Sequence, residues 1–474
     1  MKTKGLELAK IQFLALDVQY RTLLDKLKTS QVNHNQVGGM DVVSLLSELV
    51  SFETVNDPVK GMKPSKDCPK FIKDTLDSWG IESEIIEKDG YYAVYGEIGD
   101  GSPKVLFMAH FDVVPVNPEE WKTDPFKLTI EGDRAYGRGS ADDKGNVASL
   151  MLALRDLVNE KLDGKVIFAF TGDEEIGGNM AMHIAEKLRD EGKLPTYMVN
   201  ADGIGMKPII RRRKGFSVEI RVKPEKTKAK GIVRERKFYV KTPVVETRHA
   251  AYFLPGVDTH PMIALSQFVR NFNVLAISLE GKFLKGNVVP SEVTLRYLDL
   301  GEGQEVEVDL GLTRLLRSIV PLVRAPIKPE KYSDYGVSIT PNVYSFEGHH
   351  VIKLDIRAMS NSKEEIERTI QEIVEFNVPE AEVDIRTNEK AGYLFTDPQD
   401  RIVRVTIDIL RELGEDAEPM EGPGASDSRY FTPYGVKAID IGPKGGNIHG
   451  PNEYVEINSL KKMPMLYKRL AMEL

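Results

Sequence analysis

His110 and Asp112 stand at the end of the apolar run Val105–Met108, two positions apart. Residues i and i+2 of a strand share a face. One of the pair can therefore hold a metal while the other orients the imidazole through its second ring nitrogen. Asp142 and Asp143 come next, after the glycine-rich turn Gly137–Gly139. A second apolar run, Lys165–Phe170, leads into Asp173, Glu174 and Glu175, and a third, Tyr197–Asn200, leads into Asp202. Imidazole with carboxylate suits zinc, with cobalt or manganese as substitutes. Three such runs ending in ligand-type residues are the layout of an α/β sheet with its site at the strand ends. The GRG at Gly137–Gly139 is no dinucleotide loop, because it lacks the third glycine and leads into two aspartates.

The rest of the chain must position these residues. Its 474 residues are too many for one ordinary core, so two domains are expected. Composition is globular, 41% hydrophobic and 29% charged, without an apolar run long enough to cross a bilayer. The start, MKTKGLELAK, does not read as a signal peptide. Lys+Arg 64 against Asp+Glu 72 gives a net charge of −8, which argues against nucleic acid as the main partner. A single cysteine, Cys68, fits a reducing cytoplasm and reads as a small buried residue on a helix.

HxDVVP from His110, GRGxADDKG from Gly137 and DEExGG from Asp173, in that order, resemble the zinc aminoacylase/carboxypeptidase family. That family includes glutamate carboxypeptidase, acetylornithine deacetylase, succinyl-diaminopimelate desuccinylase and carnosinase-like dipeptidases. The likeness runs from about Leu45 to the C-terminus. It implies a di-zinc exopeptidase-type catalytic domain, with a mixed sheet between helices, and an inserted α+β lid or dimerisation domain. Residues 1–39 precede it as an extension; either Met40 is the true start or residues 1–39 form a loosely attached helix. Residues 40–210 and 387–474 are then the two parts of the catalytic domain, and 211–386 the lid.

A two-metal site needs a bridging carboxylate, one imidazole for each ion and one further carboxylate for each. The resemblance implies that Asp142 bridges, that His110 and Asp202 complete one metal, and that Glu175 and His449 complete the other. It makes Glu174 the general base toward a metal-bridging water and Asp112 the residue supporting His110. It also implies a cis peptide between Asp142 and Asp143.

On the substrate side, HAAYFLPGVD resembles the family's HAAYPxxGVN, so His249 would polarise the scissile carbonyl, although Phe253 and Asp258 depart from the pattern. Arg357 falls where relatives grip the substrate carboxylate, a task suited to a guanidinium fork. Asn342 and the loop from Gly424 through Ser426 to Asp427 are further candidates, with amides at a helix start expected to bind a carboxylate. Residues 256–272 should be helical, with His260 near the start of the lid helix. The basic stretch 211–241, opening on RRRK, reads as a solvated face, or else as a positive rim that steers acidic substrates.

Relatives that cut free peptides tend to carry Asp at position 202, and the carboxypeptidases and deacylases Glu. With the long lid this favours a dipeptidase acting on small peptides, as a homodimer or a lid-closed monomer. The alternatives are an N-acyl-amino-acid deacylase with the same metals, and a non-catalytic binding protein on the same fold.

Overall fold

The computed structural model describes residues 40–241, 250, 253, 258–328, 337–360, 362–422 and 424–474. The expectations for residues 1–39 and for His249 therefore lie outside the described residues. Among the described residues, nine strands make one mixed sheet. Its centre is Pro103–His110, parallel to Lys165–Thr171 on one side and to Tyr197–Asn200 on the other. Lys437–Asp440 continues in parallel beyond Tyr197–Asn200. The antiparallel pair Ser83–Lys88 and Tyr91–Ile98 forms one edge, and Ile209–Arg212, Leu394–Phe395 and Met420–Gly422 form the other.

Alternation along the central strand decides what each face buries. Val105, Phe107 and Ala109 point into a core made with the helices Val42–Ser51, Lys144–Leu157, Arg401–Glu412 and Met463–Glu473. Leu106 and Met108 point the other way, onto Met180, Ala181, Ile184 and Leu188 of the helix Asn179–Asp190. Both faces are covered, so the strand reads as a continuous apolar run. Cys68 sits fully buried on the helix Asp67–Ser78, and burial pushes its thiol up to about 12. No helix among the described residues is long and apolar enough to cross a membrane.

Sheet membership changes between Arg212 and Lys214, just past the expected boundary at 210. Lys214–Val222 pairs with His350–Ala358 and Glu382–Arg386 in a four-stranded sheet that Ser338–Phe346 completes. Val274–Gly281, Glu292–Leu300, Lys226–Tyr239 and Gln304–Asp309 form a second four-stranded sheet. Both contribute to one apolar core with the helices Pro261–Asn271, Leu310–Val323 and Lys363–Asn377.

Three expectations change here. The helix expected over 256–272 runs only from Pro261 to Asn271, because the residue before a proline is pushed to extended backbone; His260, at ψ 123°, stands at its start as expected and accepts from Met262 N at 3.2 Å. The segment after Gly424 forms two short 3₁₀ turns, Asp427–Tyr430 and Thr432–Tyr434, in place of the expected α-helix. The RRRK stretch is not a solvated face. Arg211 pairs with Glu421 at 2.5 Å, Arg212 pairs with Asp440, and Arg213 is buried and donates to Ser338 Oγ at 2.9 Å. The solvated description holds for Lys226–Tyr239, where most side chains face outward.

Candidate metal centre

The three parallel strands end side by side, and their C-terminal loops bring His110, Glu174, Glu175 and Asp202 together. Asp142 reaches the same place from the turn before the helix Lys144–Leu157. His449 comes from the loop between Gly445–Gly446 and Tyr454–Glu456, where it holds φ +62°. A non-glycine residue in this left-handed region is uncommon and collects at functional sites.

Asp142 stands between the two imidazoles. Its Oδ1 lies 3.0 Å from His110 Nε2 and its Oδ2 3.0 Å from His449 Nε2. His449 Nε2 is also 3.1 Å from the Glu175 carboxylate. Ligand atoms of His110, Glu174 and Asp202 all fall within 4.8 Å of one another, as do those of His110, Asp142 and Glu175.

Asp112, fully buried, organises two of these residues. Its backbone oxygen lies 3.1 Å and its carboxylate 3.3 Å from His110 Nδ1. An Nδ1 proton donated there leaves the Nε2 lone pair available to a metal ion held beside Asp142. The same carboxylate accepts from Glu174 N at 3.1 Å, Glu175 N at 3.2 Å and Asn56 Nδ2 at 2.6 Å. Asp143 accepts from His110 N at 3.1 Å and from Asn146 Nδ2 at 2.7 Å. Tyr467 of the last helix donates to Asn146 Oδ1 at 2.7 Å. The Asp142–Asp143 peptide is cis, as expected.

The donor chemistry fits divalent cations. Burial pushes Glu175 up to about 7 and raises Glu174 and Asp202, with neighbouring carboxylates adding to the rise. Asp142 is raised by burial too, but the two imidazoles beside it outweigh this and hold it low. Four carboxylates crowded around two imidazoles repel one another, and two divalent ions would neutralise that charge.

A family model described as peptidase family M20/M25/M40 matches residues 106–473, most of the chain and the whole of this centre. The chain belongs to that family. It is a hydrolase of the metallopeptidase or amidohydrolase type. It is 25% identical over 382 residues to a succinyl-diaminopimelate desuccinylase of Gluconobacter oxydans, covering 79% of this chain and 82% of that one. A desuccinylase of Xanthomonas euvesicatoria is 23% identical over 447 residues, with 91% and 98% covered. Among solved structures, aminoacylhistidine dipeptidase from Vibrio alginolyticus superposes with a TM-score of 0.66 at 14% identity, covering 91% and 96%. An M20 family metallo-carboxypeptidase from Sulfolobus solfataricus gives 0.59 at 19% identity, covering 92% and 99%.

The other M20 candidates sit apart from this cluster in their bonding. Arg357 forks onto Asp355, with bonds of 2.8 and 2.9 Å. Asn342 is fully buried and donates to Gly286 O at 2.6 Å, while its Oδ1 faces His260 Nε2 at 3.1 Å. Ser426 is buried, with its hydroxyl 2.7 Å from Asp440 and 2.7 Å from Ser428 Oγ. Gly424 O accepts from Arg212 Nη1 at 3.4 Å.

Sequence reasoning missed Glu453. This buried carboxylate accepts from Gly139 N at 3.1 Å, Ala141 N at 2.9 Å, Asp142 N at 3.0 Å and Arg138 Nη1 at 2.6 Å. It therefore fixes the turn that presents Asp142 and ties that turn to the loop carrying His449. Its place just after His449 in GGNIHGPNEYVEI was the only available signal.

Proposed function

We propose that the chain is a two-metal dipeptidase that hydrolyses the amide bond of small peptides. The observation that carries the two-metal reading is Asp142, with one imidazole 3.0 Å from each of its carboxylate oxygens. His110 and Asp202 would hold one ion, Glu175 and His449 the other, and Asp142 both. Zinc suits this mixture of nitrogen and oxygen donors, with cobalt or manganese as substitutes. Two such ions supply Lewis acidity and make nearby water more acidic.

The protein's own groups do the rest. Glu174 takes the proton of the attacking water and later delivers it to the leaving amine nitrogen. Its backbone is pinned to Asp112 at 3.1 Å, so the carboxylate is aimed before substrate arrives. His110 and His449 hold Asp142 between them. His249 would steady the charge developing on the scissile carbonyl oxygen. Arg357 would bind the substrate carboxylate by exchanging Asp355 for it, and Asn342 and the Gly424–Ser426 loop would line the pocket. On this reading the enzyme works in the cytoplasm, as a homodimer or as a monomer closed by residues 211–386.

Asp202 supports the dipeptidase reading, since an aspartate there resembles the branch that cuts free peptides. The desuccinylases found by sequence favour a second reading, an N-acyl-amino-acid deacylase. Amine release from free dipeptides and from N-acetyl and N-succinyl amino acids separates the two, with Glu174→Ala as the blank. Release from dipeptides alone is expected. Release from the N-acyl panel alone would transfer the protein to the deacylases.

A further inference from the structure

We propose that Arg212 is a positioning residue for the metal site that Asp202 and His110 share, and this rests on the reading of Asp202 as a ligand. Arg212 ends the strand Ile209–Arg212 with its side chain 11% exposed. The guanidinium touches three separate pieces of the site's surroundings. Nη2 donates to the backbone oxygen of Asp202 at 2.8 Å. Nη1 reaches Gly424 O at 3.4 Å, and Nε donates to Asp440 Oδ2. Asp440, fully buried, also accepts from Ser426 Oγ at 2.7 Å.

The Asp202 loop leaves the strand Tyr197–Asn200 with nothing regular after it until Ile209. Arg212 fastens that loop to the strand Lys437–Asp440, whose Asp440 lies opposite Asn200 in the sheet. A lysine could not replace it fully. One ammonium cannot span a carboxylate and two carbonyl oxygens lying in different directions, whereas a planar fork can. Gly422, which faces Arg212 across the sheet, leaves room for the guanidinium. A Cβ built there would come within 3.1 Å of Nη1 and 3.2 Å of Cζ.

The arrangement gives Arg212 a selective effect. It touches Asp202 and the 424–426 loop, while Glu175 N is held by Asp112 and His449 lies on the loop between Gly445–Gly446 and Tyr454–Glu456. Loss of Arg212 should therefore weaken one metal site and spare the other.

The test is calorimetric titration of Mn2+ into metal-free wild type, Arg212→Met, Arg212→Lys, Asp202→Asn and the Arg212→Met/Asp202→Asn double variant. Arg212→Met is expected to weaken one of two sites by about 10–100-fold, the range for groups that support metal ligands. The other site should keep its affinity within about threefold, and Arg212→Lys should fall between wild type and Arg212→Met. The double variant should be no weaker than Asp202→Asn alone, because both changes act on one interaction. Wild-type affinity at both sites in Arg212→Met, or equal weakening of both, would overturn the proposal. Removing Arg212 leaves the buried Asp440 without its cationic partner. Should Arg212→Met not fold, Arg212→Lys takes its place under the same two criteria. Asp202→Asn retaining two wild-type sites is a different failure, one that removes Asp202 from the ligand set.

Discussion

Glu174→Gln is expected to lower kcat by about 10²–10⁴-fold, the usual contribution of a positioned general base, and to leave two metal ions bound. Glutamine keeps the size and hydrogen-bonding reach of the side chain but cannot accept the proton of the attacking water. Glu174 lies with its carboxylate among His110 and Asp202, and Asp112 holds its backbone. A role confined to substrate binding would instead raise KM with kcat intact. Kinetics on the best dipeptide, with metal content measured on the same sample, decides between the two. A variant that loses metal would make Glu174 a ligand rather than the base.

Asp142→Asn should have a larger effect, because it acts on both ions at once. Each carboxylate oxygen faces one imidazole, and the amide presents a donor to one of those rings while removing the negative charge. Metal content is expected to fall below one ion per chain. Turnover should drop by more than about 10³-fold, since losing even one electrostatic stabiliser costs about 10²–10³. Elemental analysis after dialysis measures the first and amine release the second. The fold should survive. Glu453 holds this turn through backbone amides that the substitution leaves in place, and thermal unfolding of the metal-free proteins checks this.

The sheet and the residues gathered at its strand ends were legible because each follows an apolar run or a compact motif. Val105–Met108, Lys165–Phe170 and Tyr197–Asn200 are short buried strands, and the register of a parallel sheet brings their ends together. What stayed hidden are the contacts between distant parts of the chain. Glu453 meets Asp142 N across 311 positions, and no local spacing encodes such a contact. Arg212 was hidden differently. Four consecutive basic residues look alike in composition, while burial depends on which strand they extend and on the carboxylate waiting there. The helical spacing over 256–272 overextends the lid helix, whose start is at His260 and Pro261. The segment from Asp427 was likewise over-read as a helix, where two short 3₁₀ turns stand.

Anomalous diffraction from crystals grown with Mn2+ tests the two-metal centre most directly. The account predicts two peaks per chain, one among His110, Asp142 and Asp202 and the other among Asp142, Glu175 and His449. A single peak, or two peaks of which neither touches Asp142, would contradict it.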